Sequence, residues 1–306
     1  MDNLTHTLVG LVLAEAGLKH RSRFGTAVLI VGANLPDLDA LIYVAGSSTD
    51  ALAFRRGWTH GVLAMAVLPL LLTGAALGWS RLLGHGDKDQ PGAPLHPGRL
   101  LALAAIAIWS HPLLDLLNTY GVRLLMPFSG RWFYGDALFI VDPWVWAALA
   151  LGIVLSRRRH SGRPARVALA ASVVYALVMA ASSRMGRAAV TRHAGTAQRT
   201  MVAPLPGTPF RRDVIRDLGD RYEFGALALA GWKYSSIVIE PTGRDAAGVA
   251  AASATRPGRQ FLLWSRFPRF VTQRFGDSIR VIMSDARYAN PGGGSWASVT
   301  VTVPAP

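Results

Sequence analysis

The feature that most constrains this chain is a succession of apolar runs within its first 187 residues, most of them near the length of a bilayer crossing. They fall at about 4–18, 24–45, 60–80, 99–120, 137–156 and 165–184. Roughly 20 apolar residues carry a helix across a hydrocarbon core. The expected architecture of residues 1–187 is therefore an α-helical integral membrane bundle of about five to six hydrophobic helices. The first run is short for a span and is expected to enter only partly. Pro36 has no N–H to donate and disfavours helix at Leu35, so the second run should break there. A broken helix at membrane depth is tolerated where it lines a cavity. Composition agrees, with 51% hydrophobic and only 16% charged residues.

Against that background, the ionisable residues inside or beside the apolar runs stand out: His6, Asp37, Asp39, His60, His111 and Asp115. Such groups are costly in a bilayer and usually face a protein interior or a wet cavity. Histidine with carboxylate is also the ligand chemistry of zinc and related divalent ions. Cysteine is absent, which removes thiolate sites and disulfides.

The net charge is +14, from 32 Lys and Arg against 18 Asp and Glu. The basic residues fall mostly between apolar runs, where they set topology and meet anionic headgroups, so no nucleic-acid partner is expected. Lys19, Arg21 and Arg23 follow the first run; Arg81, Lys88 and Arg99 flank the third-to-fourth connection; Arg157, Arg158, Arg159, Arg163 and Arg166 join the fifth to the sixth. The positive-inside bias makes that side cytoplasmic. All six candidate ligands then gather toward the opposite side. The start lacks a basic n-region, so no cleaved signal peptide is expected.

From about 190 the pattern changes to short strand-like stretches, such as 235–239, 278–283 and 297–303, separated by Pro-Gly and Gly-rich turns that include 204–207 and 291–294. Residues 190–306 are expected to form a small β-rich soluble domain on the extracytoplasmic side. The segment 85–98 is expected to be a polar loop.

Each motif has a chemical and a bland reading. His111 and Asp115 lie four apart on one helix face, able to reach one metal or to pair with each other across a helix contact. Asp37 and Asp39 are two apart, so both can be ligands only if the turn is irregular. Otherwise Asp37 caps the restarted helix and Asp39 is solvated. His60 opens an apolar run directly after Arg55 and Arg56, either of which can clamp an anionic substrate group or anchor to lipid headgroups. Asp136, Asp142 and Asp285 are further carboxylates whose place in the site is open.

Taken in order, Met1-Asp2-x-x-Thr5-His6, Leu35-Pro36-Asp37-x-Asp39, Arg56-Gly57-x-Thr59-His60, Ser110-His111-Pro112-x-x-Asp115-x-x-Asn118-x-Tyr120-Gly121 and Asp142-Pro143 resemble the YdjM-type membrane-bound metal-dependent hydrolases. The resemblance covers most of residues 1–150 and, more loosely, Pro209-Phe210-Arg211 and Asp285-Ala286-Arg287-Tyr288. It implies metal-assisted hydrolysis in a bacterial-type inner membrane, with a suggested kinship to zinc-dependent phospholipase C. One departure is that related sequences often carry His before Arg-Gly, where this chain has Arg55.

The expected function is thus a membrane-embedded hydrolase using one or more divalent metals, zinc foremost, on a lipid or small amphiphilic phosphoester. His6, Asp37, Asp39, His60, His111 and Asp115 are the expected metal ligands. Asp37 or Asp39 would serve as general base, and Arg55 or Arg56 as clamp. The rival readings are a divalent-metal transporter or channel, which needs polar groups through the inner half of the bundle, and a structural metal site in a membrane anchor.

Overall fold

The computed structural model describes residues 1–83, 94–288 and 296–305. The chain divides into two compact units. One comprises residues 1–39, 56–182 and 204–209; the other comprises 40–55, 183–203 and 210–306. Most of the expected polar loop at 85–98, and the Gly-rich turn at 291–294, lie outside the described residues.

The helices are α1 (Asn3–Glu15), α2 (Gly25–Asn34), α3 (Ile42–Ala45), α4 (Ser48–Phe54), α5 (Val62–Leu83), α6 (Pro97–Leu116), α7 (Pro143–Arg158) and α8 (Arg163–Ala194). Among the described residues, four stretches are long and apolar enough to cross a membrane: Gly25–Val44, Val62–Leu82, Pro97–Leu116 and Arg163–Ala194. That corrects the expected five to six. The 13 residues of α1 and 16 of α7 reach only about 20 and 24 Å, short of a core about 30 Å thick. The apolar run at 137–156 looked longer than its helix because its first residues are not helical. The N–H groups of Ala137 and Leu138 both bond the Leu117 carbonyl. Asp142 then caps α7 by accepting from the N–H groups of Trp144 and Val145.

Within the first unit the helices alternate in direction. Gly10 of α1 lies against the Leu29 backbone of α2, while Thr7 Oγ1 reaches Asn34 Oδ1 at 3.3 Å, so these helices are antiparallel. His111 Nδ1 meets the Ala33 carbonyl and the His96 N–H meets Ser22 Oγ, so α2 and α6 run parallel. Trp146 reaches Thr5 and Arg157 reaches Glu15, so α1 and α7 run parallel too. The short helices thus follow the same up-and-down alternation as the long ones. Association within lipid depends on close packing more than on a hydrophobic drive. Accordingly Val12, Leu149, Ile153, Ala165 and Met179 form one core cluster, and Leu29, Leu100, Ala104 and Ile108 another. Val173, Val174, Leu177 and Val178 of α8 stay exposed, as lipid-facing residues would.

This alternation brings basic segments together at one end. Lys19 Nζ and Arg157 Nε both bond Glu15, at 2.7 and 2.8 Å. The Arg23 N–H donates to the Pro94 carbonyl. At the other end α2 gives way after Asn34 to a 3-10 turn, Leu35–Leu41, around Pro36.

The second unit carries two small sheets. Strands β1 (Arg199–Leu205), β2 (Thr208–Asp217), β3 (Arg221–Ala228) and β4 (Lys233–Pro241) are ordered β1-β2-β3-β4, with β2, β3 and β4 antiparallel. Helices α9 (Val249–Ala254) and α10 (Arg256–Trp264) follow. The antiparallel sheet β5 (Pro268–Phe275), β6 (Ser278–Asp285) and β7 (Ser298–Pro304) completes it. Tyr222, Phe261, Trp264 and Phe267 are fully buried.

Candidate metal centre

Four stretches of the first unit carry the candidate ligands to one place. His6 lies one turn into α1, after Asp2 has capped that helix through the Thr5 N–H. Asp37 and Asp39 lie on the 3-10 turn that Pro36 imposes. His60 stands just before α5, and His111 and Asp115 are one turn apart near the end of α6. His6, His60, His111 and Asp115 are all fully buried.

Two ligand groups overlap, His6 with Asp37 and His111, and His60 with His111 and Asp115. His111 Nε2 lies 3.1 Å from His60 Nε2, 3.6 Å from Asp115 Oδ2 and 3.7 Å from Asp37 Oδ1. His60 Nε2 is 3.2 Å from Asp115 Oδ2, and His6 Nε2 is 3.5 Å from Asp115 Oδ1. Donors at about 2.0–2.1 Å around a tetrahedral zinc would stand about 3.3 Å apart, so each group of three is spaced to hold such an ion.

The hydrogen-bond partners sharpen the fit. His111 Nδ1 lies 2.6 Å from the Ala33 carbonyl, which only accepts, so Nδ1 carries the proton and Nε2 of the neutral ring presents a lone pair. Thr59 Oγ1 donates to Asp39 Oδ2 at 3.0 Å and lies 2.9 Å from His60 Nδ1. With its proton spent on Asp39, that hydroxyl accepts from Nδ1–H, and His60 Nε2 is left as a lone pair too. Two imidazole lone pairs 3.1 Å apart repel unless a cation or proton lies between them. Both ring nitrogens of His6 and Asp115 Oδ2 are buried without hydrogen-bond partners, a cost that a metal would relieve. The residues present fit a divalent ion.

Asp39 is turned to a supporting place. Besides Thr59 it accepts the Arg56 N–H at 2.8 Å and lies 3.5 Å from His60 Nδ1. A carboxylate behind a ligating imidazole fixes its tautomer and orientation. Arg56 adopts φ +52°, and its guanidinium enters the site. Nη2 lies 3.0 Å from Asp115 Oδ1, Nη1 donates to Asn118 Oδ1 at 3.1 Å, and the Tyr120 ring stacks 4.5 Å away. The Met1 amino group also pairs with Asp115.

The structure therefore brings together His6, Asp37, Asp39, Arg56, His60, His111 and Asp115 in the first unit. Arg55 lies over the Tyr43 ring at 5.6 Å in the second. Asp142 caps α7 and accepts the Tyr175 hydroxyl. Asp285 is held in the second unit by Ser265 and Arg287. Asp136 is fully buried with φ +51°. Sequence reasoning gave no role to Thr59 and Asn118. Their signal was their place in the motifs Arg56-Gly57-x-Thr59-His60 and Asp115-x-x-Asn118, which carry the resemblance but assign neutral residues no chemistry.

A helical membrane unit with a buried histidine–aspartate cluster at one end is the class that fold and site define. The chain belongs to the YdjM inner membrane protein family, whose model matches residues 1–186. It is also similar to the uncharacterized protein YfhP of Bacillus subtilis (strain 168), with 22% identity over 170 residues. That match takes in 51% of this chain and 46% of the relative, so the chain spans about half the length of that protein. No solved structure matches the chain.

Proposed function

We propose that this protein is an inner-membrane, metal-dependent hydrolase acting on a lipid or small amphiphilic phosphoester. The observation that carries the reading is the convergence of His60 and His111 Nε2 lone pairs at 3.1 Å beside His6, whose ring nitrogens make no hydrogen bond. His60, His111 and Asp115 would hold an ion, and His6 and Asp37 with His111 an overlapping one, Asp37 serving as ligand or as the base. A bound zinc would lower the pKa of a coordinated water and polarise the scissile group. Asp39 and Thr59 orient His60, and the Ala33 carbonyl orients His111. Arg56, held by Asp115 and Asn118, places positive charge where an anionic substrate group would sit. The three basic connections support a cytoplasmic assignment for their end, which turns the site and the C-terminal domain to the extracytoplasmic side.

His111→Ala and His60→Ala should each lower bound zinc in the purified full chain at least tenfold while helicity by circular dichroism is retained. Phosphoester hydrolysis, screened across lipid and soluble substrates, should be lost with the metal. Undiminished metal content in both variants would overturn the centre. Intact metal with no turnover on any phosphoester would leave the centre and overturn the hydrolase. Zinc flux into reconstituted vesicles, abolished by the same variants, would favour the transporter instead.

A further inference from the structure

Glu15 lies nine positions beyond His6 along α1, so it stands about 14 Å from the metal end. There the first unit forms a polar cleft, about 480 Å³ in volume, between the end of α1 and the α7–α8 turn. Residues 15–23 and 156–166 contain eight Lys or Arg and a single acid, Glu15. Glu15 is spent on two of those cations. Its Oε2 accepts from Lys19 Nζ at 2.7 Å and its Oε1 from Arg157 Nε at 2.8 Å. The carboxylate thus sets the position of two positive groups.

Arg157 is anchored through Nε alone. Its terminal Nη1 and Nη2 groups have no partner among the described residues, and the side chain is 58% exposed. A guanidinium fixed at Nε and open at both Nη groups presents the fork that matches a phosphate oxygen pair. His20 and His160 line the same cleft. The N-terminus of the 32-residue α8 begins beside it at Arg163, adding partial positive charge. Basic residues that merely anchor a helix to headgroups need neither a cavity nor a carboxylate to position them.

We propose that this cleft is an anion site that takes a phosphate group, carried by a phospholipid headgroup or free in solution, with Arg157 and Lys19 as its principal contacts. It is distinct from the metal centre and does not depend on hydrolysis there.

The test is binding to the purified full chain in uncharged detergent, titrated separately with phosphatidylglycerol, phosphatidylcholine and inorganic phosphate. Phosphatidylglycerol should bind more tightly than phosphatidylcholine, and Arg157→Gln should weaken it about tenfold. Lys19→Met should weaken it as well, with zinc content unchanged in both variants. Displacement of phosphatidylglycerol by millimolar inorganic phosphate would identify the free anion as a ligand. Failure to displace would assign the site to lipid. Equal binding of the two lipids without phosphate binding, or undiminished binding in both variants, would overturn the proposal. Arg157 is largely exposed, so its variant should fold, and a normal melting profile checks that.

Discussion

At the scale of single residues, Asp285 illustrates how a buried charge is kept. Its carboxylate accepts from Ser265 Oγ and the Arg266 N–H, both at 2.7 Å, from the Phe267 N–H, and from Arg287 Nε at 2.8 Å. Burial alone would push its pKa up, but the Arg287 charge and these hydrogen bonds outweigh burial and hold it below the usual carboxylate range. A depressed folded-state pKa gives stability that is present above the unfolded value, near pH 4, and is lost as pH falls through the folded one. Acid titration followed by tryptophan fluorescence should show the second unit losing stability below about pH 4. Asp285→Ala, which takes the carboxylate away from the buried Arg287 side chain, should cost about 3–5 kcal/mol in a melting experiment. Residues of this kind were only partly legible in the sequence. His6, Asp37, His60, His111 and Asp115 stood out because an ionisable group in an apolar run is expensive. Thr59 and Asn118 carry no such penalty and stayed in the background. Arg55 and Arg56 are adjacent and chemically identical, so the sequence could not separate them. The left-handed backbone at Arg56, whose guanidinium reaches Asp115, is a tertiary fact.

At the scale of elements, the close approach of α1 and α2 decides whether His6 meets His111. Their rings stack at 3.7 Å, and Gly10 permits it. A Cβ at Gly10 would lie 2.7 Å from the Leu29 carbonyl oxygen and 3.0 Å from Ile30 Cα, backbone atoms that cannot rotate away. Gly10→Ala should destabilise the unit by about 1–3 kcal/mol through overpacking and reduce bound zinc, read by thermal unfolding and metal analysis on one preparation. Pro36 was legible as a helix breaker, and the 3-10 turn at Leu35–Leu41 follows from it. The start of α7 was less so. Hydropathy registers the apolar residues 137–141 but cannot reveal that two of their N–H groups are taken by Leu117. The strands at 233–241, 278–285 and 298–304 were visible as short alternating or β-branched stretches. The small helices α9 and α10 between them were not, since neither is long enough to show a sustained period.

At the scale of the whole molecule, the proposed orientation can be read directly, because the chain has no cysteine to confuse a labelling experiment. Phe128, 84% exposed, lies between α6 and α7. Phe128→Cys should react with a membrane-impermeant maleimide added to intact cells, and Ser161→Cys, in the α7–α8 turn, only after permeabilisation. The opposite pattern would reverse the topology and with it the side on which substrate is met. The absence of cysteine has another bearing on the site. His6, Asp37, His60 and His111 belong to four stretches spread over more than 100 residues. An ion held by them would tie α1, the turn after α2, the approach to α5 and α6 together. In a chain that can form no disulfide, such an ion would be a cross-link, and one which a chelator would undo. Occupancy would then stabilise the folded unit by mass action, and the concentration of available metal would set how firmly these helices are tied as well as how many molecules are competent.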